Sequence, residues 1–162
     1  MRILGIDPGS IATGFGVIDI VSSKIRPVEY GVITLNRKEI LPIRLCVIFD
    51  EIKNVISKNK PDLICVETPF FGKNANSAFV LGQARGVIML SVGQSDIKFC
   101  EYSPTEIKKA VTGNGLATKE QVEYMVKTIT GICEEKIKSD AYDAIACAIC
   151  GYNNYSFTSY GF

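Results

Sequence analysis

The chain opens with a short apolar run that ends in a single carboxylate. Residues 3–6 read Ile-Leu-Gly-Ile, and Asp7 follows them directly. An apolar run without polar alternation is typical of a strand that is buried on both faces. Pro8-Gly9 then breaks the strand, and Asp-Pro-Gly is also a common turn sequence. The opening therefore predicts a central strand with one acid at its end, and partners elsewhere in the chain must show whether that acid has a function.

A second strand with the same ending is predicted further along. Strands over 15–20 and 25–35 would form an antiparallel meander with the first strand, and a helix should run from Pro42 to about residue 58. After this crossover helix, residues 62–67 form another short apolar run, predicted to be a strand parallel to the first. Parallel neighbours end at the same edge of a sheet, so we expect Asp7 and Glu67 to be neighbours.

Three further helices and one strand are predicted before the last helix. A helix over about 77–94 carries Ala78, Gly82 and Gly86 at four-residue spacing, so these small residues form a smooth strip on one face. The strip could pack against the sheet or against another subunit, and packing within the chain is the simpler interpretation. A short strand over 97–102 follows. Capping boxes at Ser103 and Thr118 then predict helices that reach about residues 111 and 130.

The last predicted helix carries two more acids in its first turn. Asp140 and Asp143 follow Ser139 and are three residues apart, so they lie on one helical face. Acids in a first turn also suit the helix dipole, which is a purely structural alternative. We expect a domain over 1–151 and a flexible tail over 152–162, where no apolar period is present.

Composition places the chain among single soluble domains. It has 162 residues, of which 47% are hydrophobic, and no apolar run approaches the roughly 20 residues that a membrane span needs. A cytoplasmic location with reduced cysteines is expected. Cys147 and Cys150 have the C-x-x-C spacing, but there is no second such pair and no histidine to complete a zinc site. The net charge of +1 means that any nucleic-acid binding must use local basic patches.

The four acids suggest metal chemistry if the fold gathers them. Clustered carboxylates repel one another unless they bind protons or cations, and oxygen-only ligation selects Mg²⁺ or Mn²⁺. Two such ions can activate a water and stabilise a leaving oxygen, which is the usual route to phosphodiester hydrolysis. The candidate ligands are Asp7, Glu67, Asp140 and Asp143.

Several sequence blocks follow one another in a definite order: Gly5-Ile6-Asp7-Pro8-Gly9-Ser10, Thr13-Gly14-Phe15-Gly16, Glu67, Phe70-Phe71-Gly72-Lys73-Asn74, Gly82-Gln83-Ala84-Arg85-Gly86 and Asp140-Ala141-Tyr142-Asp143-Ala144. In content and order they resemble the RuvC family of crossover junction endodeoxyribonucleases. The resemblance implies an RNase H-like α/β fold with a mixed five-stranded sheet flanked by helices. It also implies a homodimer that cuts four-way (Holliday) DNA junctions by paired nicks, with Mg²⁺, in cooperation with a branch-migration motor of the RuvA and RuvB type.

The resemblance also implies roles for individual residues. The four acids match the catalytic, metal-binding carboxylates of the family. Phe70 matches an aromatic residue that stacks on an unpaired base, with a core or dimer contact as its alternative, and Lys73 lies in the same block. Lys108 and Lys119 match basic positions that contact DNA. Gly9 would allow close approach of the DNA backbone.

Two departures from the family and two rival functions accompany this interpretation. Thr68-Pro69 replaces the residues that often follow the glutamate, and the histidine that many relatives carry after Asp143 is absent. An ATP-binding protein of the sugar-kinase and actin type is one rival, but such proteins need two domains of this kind. A junction-binding scaffold without cleavage is the other, and retention of all four acids argues against it.

Overall fold

The computed structural model describes residues 1–68, 74–134 and 137–158, with the backbone alone for 156–158. Each predicted strand and helix is present, and most of their ends lie within three residues of the predicted ends. The elements in chain order are β1 (Arg2–Asp7), β2 (Ala12–Val21), β3 (Lys24–Thr34), α1 (Leu41–Asn59), β4 (Leu63–Glu67), α2 (Ala75–Gly93), β5 (Lys98–Tyr102), α3 (Pro104–Thr112), α4 (Lys119–Thr130) and α5 (Ser139–Thr158).

The five strands form one mixed sheet in the order β3-β2-β1-β4-β5. β2 runs antiparallel to both β1 and β3, which confirms the predicted meander. β4 runs parallel to β1 with Ile6 opposite Val66, and β5 runs parallel to β4. Because β1 and β4 are adjacent and in register, Asp7 and Glu67 leave the sheet side by side at one edge.

The sheet is covered on both faces, as the apolar character of β1 predicted. Leu4 and Ile6 pack with α1 and α2 on one face, and Ile3 packs with α3, α4 and α5 on the other. Side chains alternate between the faces of a strand, so Asp7 points to the same side as Ile3. The site edge therefore opens towards the layer of α3, α4 and α5.

Glycines in β1 and β2 let α5 lie almost directly on the sheet backbone. A Cβ at Gly5 would collide with the carbonyl oxygen of Ala144, and a Cβ at Gly14 would collide with the carbonyl oxygen of Asp140. A Cβ at Gly16 would meet the side chain of Ile145 at 2.6 Å. The glycines of β1 and β2 thus determine how closely α5 approaches the sheet, and with it the position of the acids in the first turn of α5.

The last helix is longer than the sequence predicted. It runs on to Thr158, so residues 152–158 continue α5 and do not begin an irregular tail. Two contacts account for the extension: Asn153 Nδ2 donates to the carbonyl oxygen of Ala110 at 3.0 Å, and Tyr152 and Tyr155 pack against the core. Residues 159–162 of the predicted tail lie outside the described residues.

Three further predictions concern the helix caps, the cysteines and membrane-spanning helices. Both capping boxes are present, at Ser103 with Glu106 and at Thr118 with Gln121. All six cysteines lie within the described residues and are free thiols, as expected. Among the described residues, no helix combines the length and the apolar character that crossing a membrane requires.

Gly82 and Gly86, the two glycines of the α2 strip, have no packing partner among the described residues. Among the described residues, no atom outside the helix's own backbone lies within 4 Å of a Cβ built at Gly82 or Gly86. Two large apolar side chains on the same helix are also exposed, Phe79 by 69% and Leu90 by 54%. The interpretation of the strip as an intrachain contact is therefore wrong.

Candidate active site

Three acids line one cavity at the sheet edge. Asp7 ends β1, Glu67 ends β4, and Asp143 lies in the first turn of α5. Together they border a cavity of about 210 Å³. Asp140 does not line this cavity, but its charge raises the pKa of Asp7, so it lies within electrostatic reach. The fold thus brings together the four acids that the sequence singled out, with Asp140 more peripheral than expected.

The turn after Asp7 is held by side chains to which the sequence analysis gave no role. Thr13 is fully buried, and its Oγ1 donates to the carbonyl oxygen of Gly9 at 2.9 Å and accepts from the Gly9 N–H at 3.3 Å. Arg44 Nη1 donates to the carbonyl oxygen of Ser10 at 3.1 Å. These bonds fix the path of the chain directly after Asp7.

Contacts within the chain leave no room for a side chain at Gly9. A Cβ at this position would collide with the carbonyl oxygen of Ala12, because the turn folds back tightly on β2. This contact accounts for a glycine without any contribution from DNA. Thr13-Gly14 was visible as a motif in the sequence, but its role in the turn became apparent only from these contacts.

Two carboxylates of the cavity, Asp7 and Glu67, have raised pKa values. Burial, followed by the neighbouring charges of Glu67, Asp143 and Asp140, raises the pKa of Asp7 to about 8, and the charge of Lys119 opposes this shift. Burial likewise raises the pKa of Glu67 to about 7, with Asp143 contributing next. Repulsion among the acids is part of each shift, and a bound cation would favour the ionised carboxylates.

Two lysines supply the positive charge that borders the cavity. Lys119 is the first residue of α4, and its Nζ contacts Asp143 Oδ2 at 2.8 Å. This hydrogen bond raises the pKa of Lys119. Lys108, on α3, lines the same cavity and opposes the upward shift in the pKa of Glu67. Two of the three lysines that the sequence singled out, Lys108 and Lys119, therefore lie beside the acids.

The donor set fits a hard divalent cation. All four candidate ligands are carboxylates, the type that Mg²⁺ and Mn²⁺ prefer, and repulsion between them contributes to the raised pKa values of Asp7 and Glu67. Within the described parts of the chain, no three acidic, cysteine or histidine side chains already stand in an arrangement that holds an ion. The cation in contact with Asp143 is instead the Lys119 ammonium group.

The Lys119–Asp143 ion pair leads to a prediction about metal affinity. We expect Lys119→Met to bind Mn²⁺ a few-fold more tightly in the absence of DNA, because the ammonium group and the metal compete for the same carboxylate and an exposed pair is worth up to about 1 kcal/mol. Electron paramagnetic resonance of free Mn²⁺ measures this. Lys127→Met is the matched control, since Lys127 pairs with Glu123 on the same helix. Equal or weaker Mn²⁺ binding by Lys119→Met would contradict the prediction.

Some predicted contact residues lie outside the described part of the chain. Phe70 and Lys73, predicted to contact DNA, fall in the segment 69–73, as does Phe71. Their positions relative to the acids therefore stay predictions. Asn74, directly after this segment, caps α2 by accepting from the backbone N–H groups of Asn76 and Ser77.

A mixed sheet with acids from two parallel strands and from a helix laid across them defines a metal-dependent nuclease with an RNase H-like fold. Comparison with known proteins agrees. The family described as crossover junction endodeoxyribonuclease RuvC matches residues 3–151. The chain is 47% identical over 152 residues to a protein of that name from Chloroherpeton thalassium, covering 94% of this chain and 82% of the relative. A relative from Finegoldia magna is 44% identical over 150 residues, with 93% and 92% covered.

Solved structures give the same result. The structure described as "T. thermophilus RuvC in complex with Holliday junction substrate" superposes with a TM-score of 0.87 at 26% identity, covering 97% of this chain and 96% of that one. The yeast mitochondrial Holliday junction resolvase Ydc2, at 14% identity and a TM-score of 0.64 over 97% of this chain and 83% of that one, shares the fold. The chain belongs to the RuvC family of crossover junction endodeoxyribonucleases, and the resemblance seen in the sequence is confirmed.

Proposed function

We propose that this endonuclease resolves four-way (Holliday) DNA junctions by paired, symmetric nicks in recombination and repair. The observation that carries the proposal is the cavity in which Asp7, Glu67 and Asp143 face Lys108 and Lys119. Acids that require a cation lie beside lysines that attract a phosphate, which is the pairing that phosphodiester hydrolysis needs. The Holliday junction in the complex of the Thermus thermophilus relative supports this choice of substrate.

The proposed chemistry is metal-assisted hydrolysis that leaves 5′-phosphate and 3′-hydroxyl ends. Asp7, Glu67, Asp140 and Asp143 would hold two Mg²⁺ ions, or Mn²⁺ in their place. When bound, the ions lower the pKa of a water and neutralise charge on the leaving oxygen. The chain's own part is to fix the acids through the turn after Asp7 and through the docking of α5.

The two lysines have a separate part in the proposed reaction. Lys119 would exchange its ion pair with Asp143 for the scissile phosphate, since a metal at that carboxylate releases the ammonium group. Lys108 borders the same cavity from α3 and would hold a second phosphate oxygen. Neither lysine changes its protonation in this scheme, because their role is to attract and orient an anion.

Paired nicks require two active sites, and we propose a homodimer formed through α2. α2 is rich in apolar residues, yet it exposes Phe79, Gly82, Gly86 and Leu90. These residues recur at spacings of three and four, so they form one face. Glycines in that face would allow two helices to approach closely.

One charged side chain introduced into the exposed α2 face tests the proposed dimer interface. We expect Gly86→Glu to make the chain monomeric in light scattering, because it places a carboxylate in the centre of the α2 face, while the fold tolerates the new side chain in open space. Val21→Glu is the matched control: Val21 is 50% exposed at the end of β2, away from α2, and should leave the dimer intact. A wild-type monomer, or a Gly86→Glu dimer, would disprove this interface.

Further parts of the proposal follow the family resemblance. Phe70 would stack on an unpaired base at the junction centre, and Lys73 would contact the DNA backbone. The dimer would act in the cytoplasm with a branch-migration motor of the RuvA and RuvB type. Phe70→Ala would then reduce cleavage without changing Mn²⁺ binding.

A nicking assay on a synthetic four-way junction tests the proposed function. With Mg²⁺, we expect symmetric nicks in two opposing strands, ends that a ligase can seal directly, and little cutting of linear duplex of the same sequence. With a chelator, cutting should stop while junction binding persists. Binding without cutting under any divalent cation would favour the scaffold alternative, and equal cutting of linear duplex would overturn the junction specificity.

A further inference from the structure

The turn between α3 and α4, residues 113–117, lies beside the active site. It joins the helix that carries Lys108 to the helix that begins with Lys119, and both lysines line the cavity of the acids. The turn itself does not line the cavity, but it connects the two helices whose lysines do. We call this segment the α3–α4 turn.

The α3–α4 turn is held in one conformation by its own hydrogen bonds. Thr112 Oγ1 accepts from the Asn114 N–H at 3.1 Å, and Asn114 Oδ1 accepts from the Leu116 N–H at 3.0 Å. Gly113 has a φ of 79°, which favours glycine. A Cβ at Gly115 would lie 2.8 Å from Thr105 Cγ2, so the turn is also pressed against α3.

Within this ordered turn, one large apolar side chain points into solvent. Leu116 is 87% exposed, the highest value among the exposed large hydrophobic residues of the described chain, whereas Ala117 beside it is 2% exposed. A single exposed leucine is unremarkable by itself. Here, however, it is presented by a hydrogen-bonded turn three residues before the lysine that contacts the active-site acid Asp143.

Charges around Leu116 favour DNA as the molecule that covers it. Lys108, Lys109 and Lys119 are cationic neighbours along α3 and α4, with Glu120 as the opposing charge in the first turn of α4. Phosphates held by such lysines fix the register of a duplex without reading its sequence. An apolar side chain beside them can then enter the minor groove and unstack a base step, as leucines do in proteins that deform DNA.

We propose that Leu116 is a substrate-contacting residue that inserts into the minor groove of the junction arm next to the scissile phosphate. The proposal rests on the proposed junction cleavage and extends it to sequence preference. An inserted apolar group costs least at pyrimidine–purine steps, which unstack easily, so Leu116 favours cuts beside such steps. It contributes shape recognition, while Lys108 and Lys119 contribute affinity through phosphates.

The test compares Leu116→Ser with the wild-type chain and with Val21→Ser, which removes a half-exposed apolar side chain at the far end of β2. Binding to a four-way junction is measured in a chelator over a range of salt concentrations. We expect Leu116→Ser to have the same melting temperature as the wild-type chain. Its junction binding should be about tenfold weaker, because one good apolar or stacking contact is lost. The dependence of binding on salt concentration should keep the same slope. Lys108→Ala should instead lower that slope by about one.

A second readout reports the insertion itself. A fluorescent base analogue placed at the step beside the cut should brighten when wild-type protein binds and should stay quenched with Leu116→Ser, while Leu116→Met restores the signal. Cutting of junctions with different steps at this position should also lose its preference in Leu116→Ser. Unchanged binding, fluorescence and preference in a wild-type-like nicking enzyme would overturn this inference alone. A wild-type chain that does not nick junctions would overturn the proposed function and this inference with it.

Discussion

Asp7→Asn is expected to abolish cleavage and, at the same time, to stabilise the metal-free protein. Loss of cleavage, by about a thousandfold or more, follows if Asp7 helps hold the metal, since the amide carries no negative charge. The gain in stability follows from burial among other acids, which raises the pKa of Asp7 to about 8. The wild-type chain must accommodate or protonate this carboxylate on folding, whereas the amide has no charge to bury.

The gain in stability must depend on pH in a definite direction. The pKa of Asp7 rises from 3.8 in the unfolded chain to about 8 in the fold, so the folded state binds the proton more tightly. The stabilising effect of that proton is complete below about pH 4 and is lost as the pH rises to 8. Glu67 acts in the same sense up to about pH 7. Metal-free wild-type protein should therefore lose several kcal/mol across this range, as each pKa unit corresponds to about 1.4 kcal/mol.

Urea unfolding in a chelator at several pH values measures this effect. Asp7→Asn should have a flatter profile than wild type, with the largest gain near pH 8. Asp19→Asn is the matched control with the opposite sign: Arg2 hydrogen-bonds to Asp19 and lowers its pKa, so this variant should lose stability at neutral pH. Metal addition should restore the stability that the wild-type chain loses at high pH, and it should not add stability to Asp7→Asn. An Asp7→Asn variant that still cuts, or that is less stable at pH 8, would contradict this account of the site.

Gly5→Ala is expected to be among the most damaging conservative changes in the fold. Its Cβ would collide with the carbonyl oxygen of Ala144 and would approach the Ala148 nitrogen, both of which belong to the backbone of α5. Side-chain rotation cannot relieve a collision with a backbone, so α5 must move away from β1. We expect a loss of about 3 kcal/mol or more in the free energy of unfolding, the range of severe overpacking.

The same variant tests how α5 positions the site. Because Asp140 and Asp143 lie in the first turn of α5, displacement of the helix should weaken Mn²⁺ binding even in molecules that remain folded. Urea unfolding and Mn²⁺ titration measure the two effects separately. Gly93→Ala is the control, since this α2 glycine has open space around it and alanine favours helix by up to about 1 kcal/mol. Gly5→Ala with wild-type stability would show that α5 is not fixed by backbone contact.

Local signals in the sequence were sufficient for most of the secondary structure. The capping boxes at Ser103 and Thr118 marked two helix starts because their side chains bond to backbone groups only three residues away. The apolar run before Asp7 and the crossover helix before β4 predicted parallel neighbours, and therefore the meeting of Asp7 with Glu67. The family resemblance added the nuclease class, which the comparisons confirm.

Contacts between distant parts of the chain decided the rest. The extension of α5 depends on Asn153 reaching Ala110, and Gly5 is explained by Ala144, which lies 139 positions away in the sequence. The sequence likewise could not predict the Lys119–Asp143 ion pair or the exposure of the α2 glycine strip. Periodicity shows which residues share a face of a helix, but it does not show which element packs against that face. The sequence by itself determined which acids end their strands and begin α5. Only the tertiary structure decided how deeply they are buried, which lysine opposes them and how far their pKa values rise, because burial and charge proximity are properties of the packed chain.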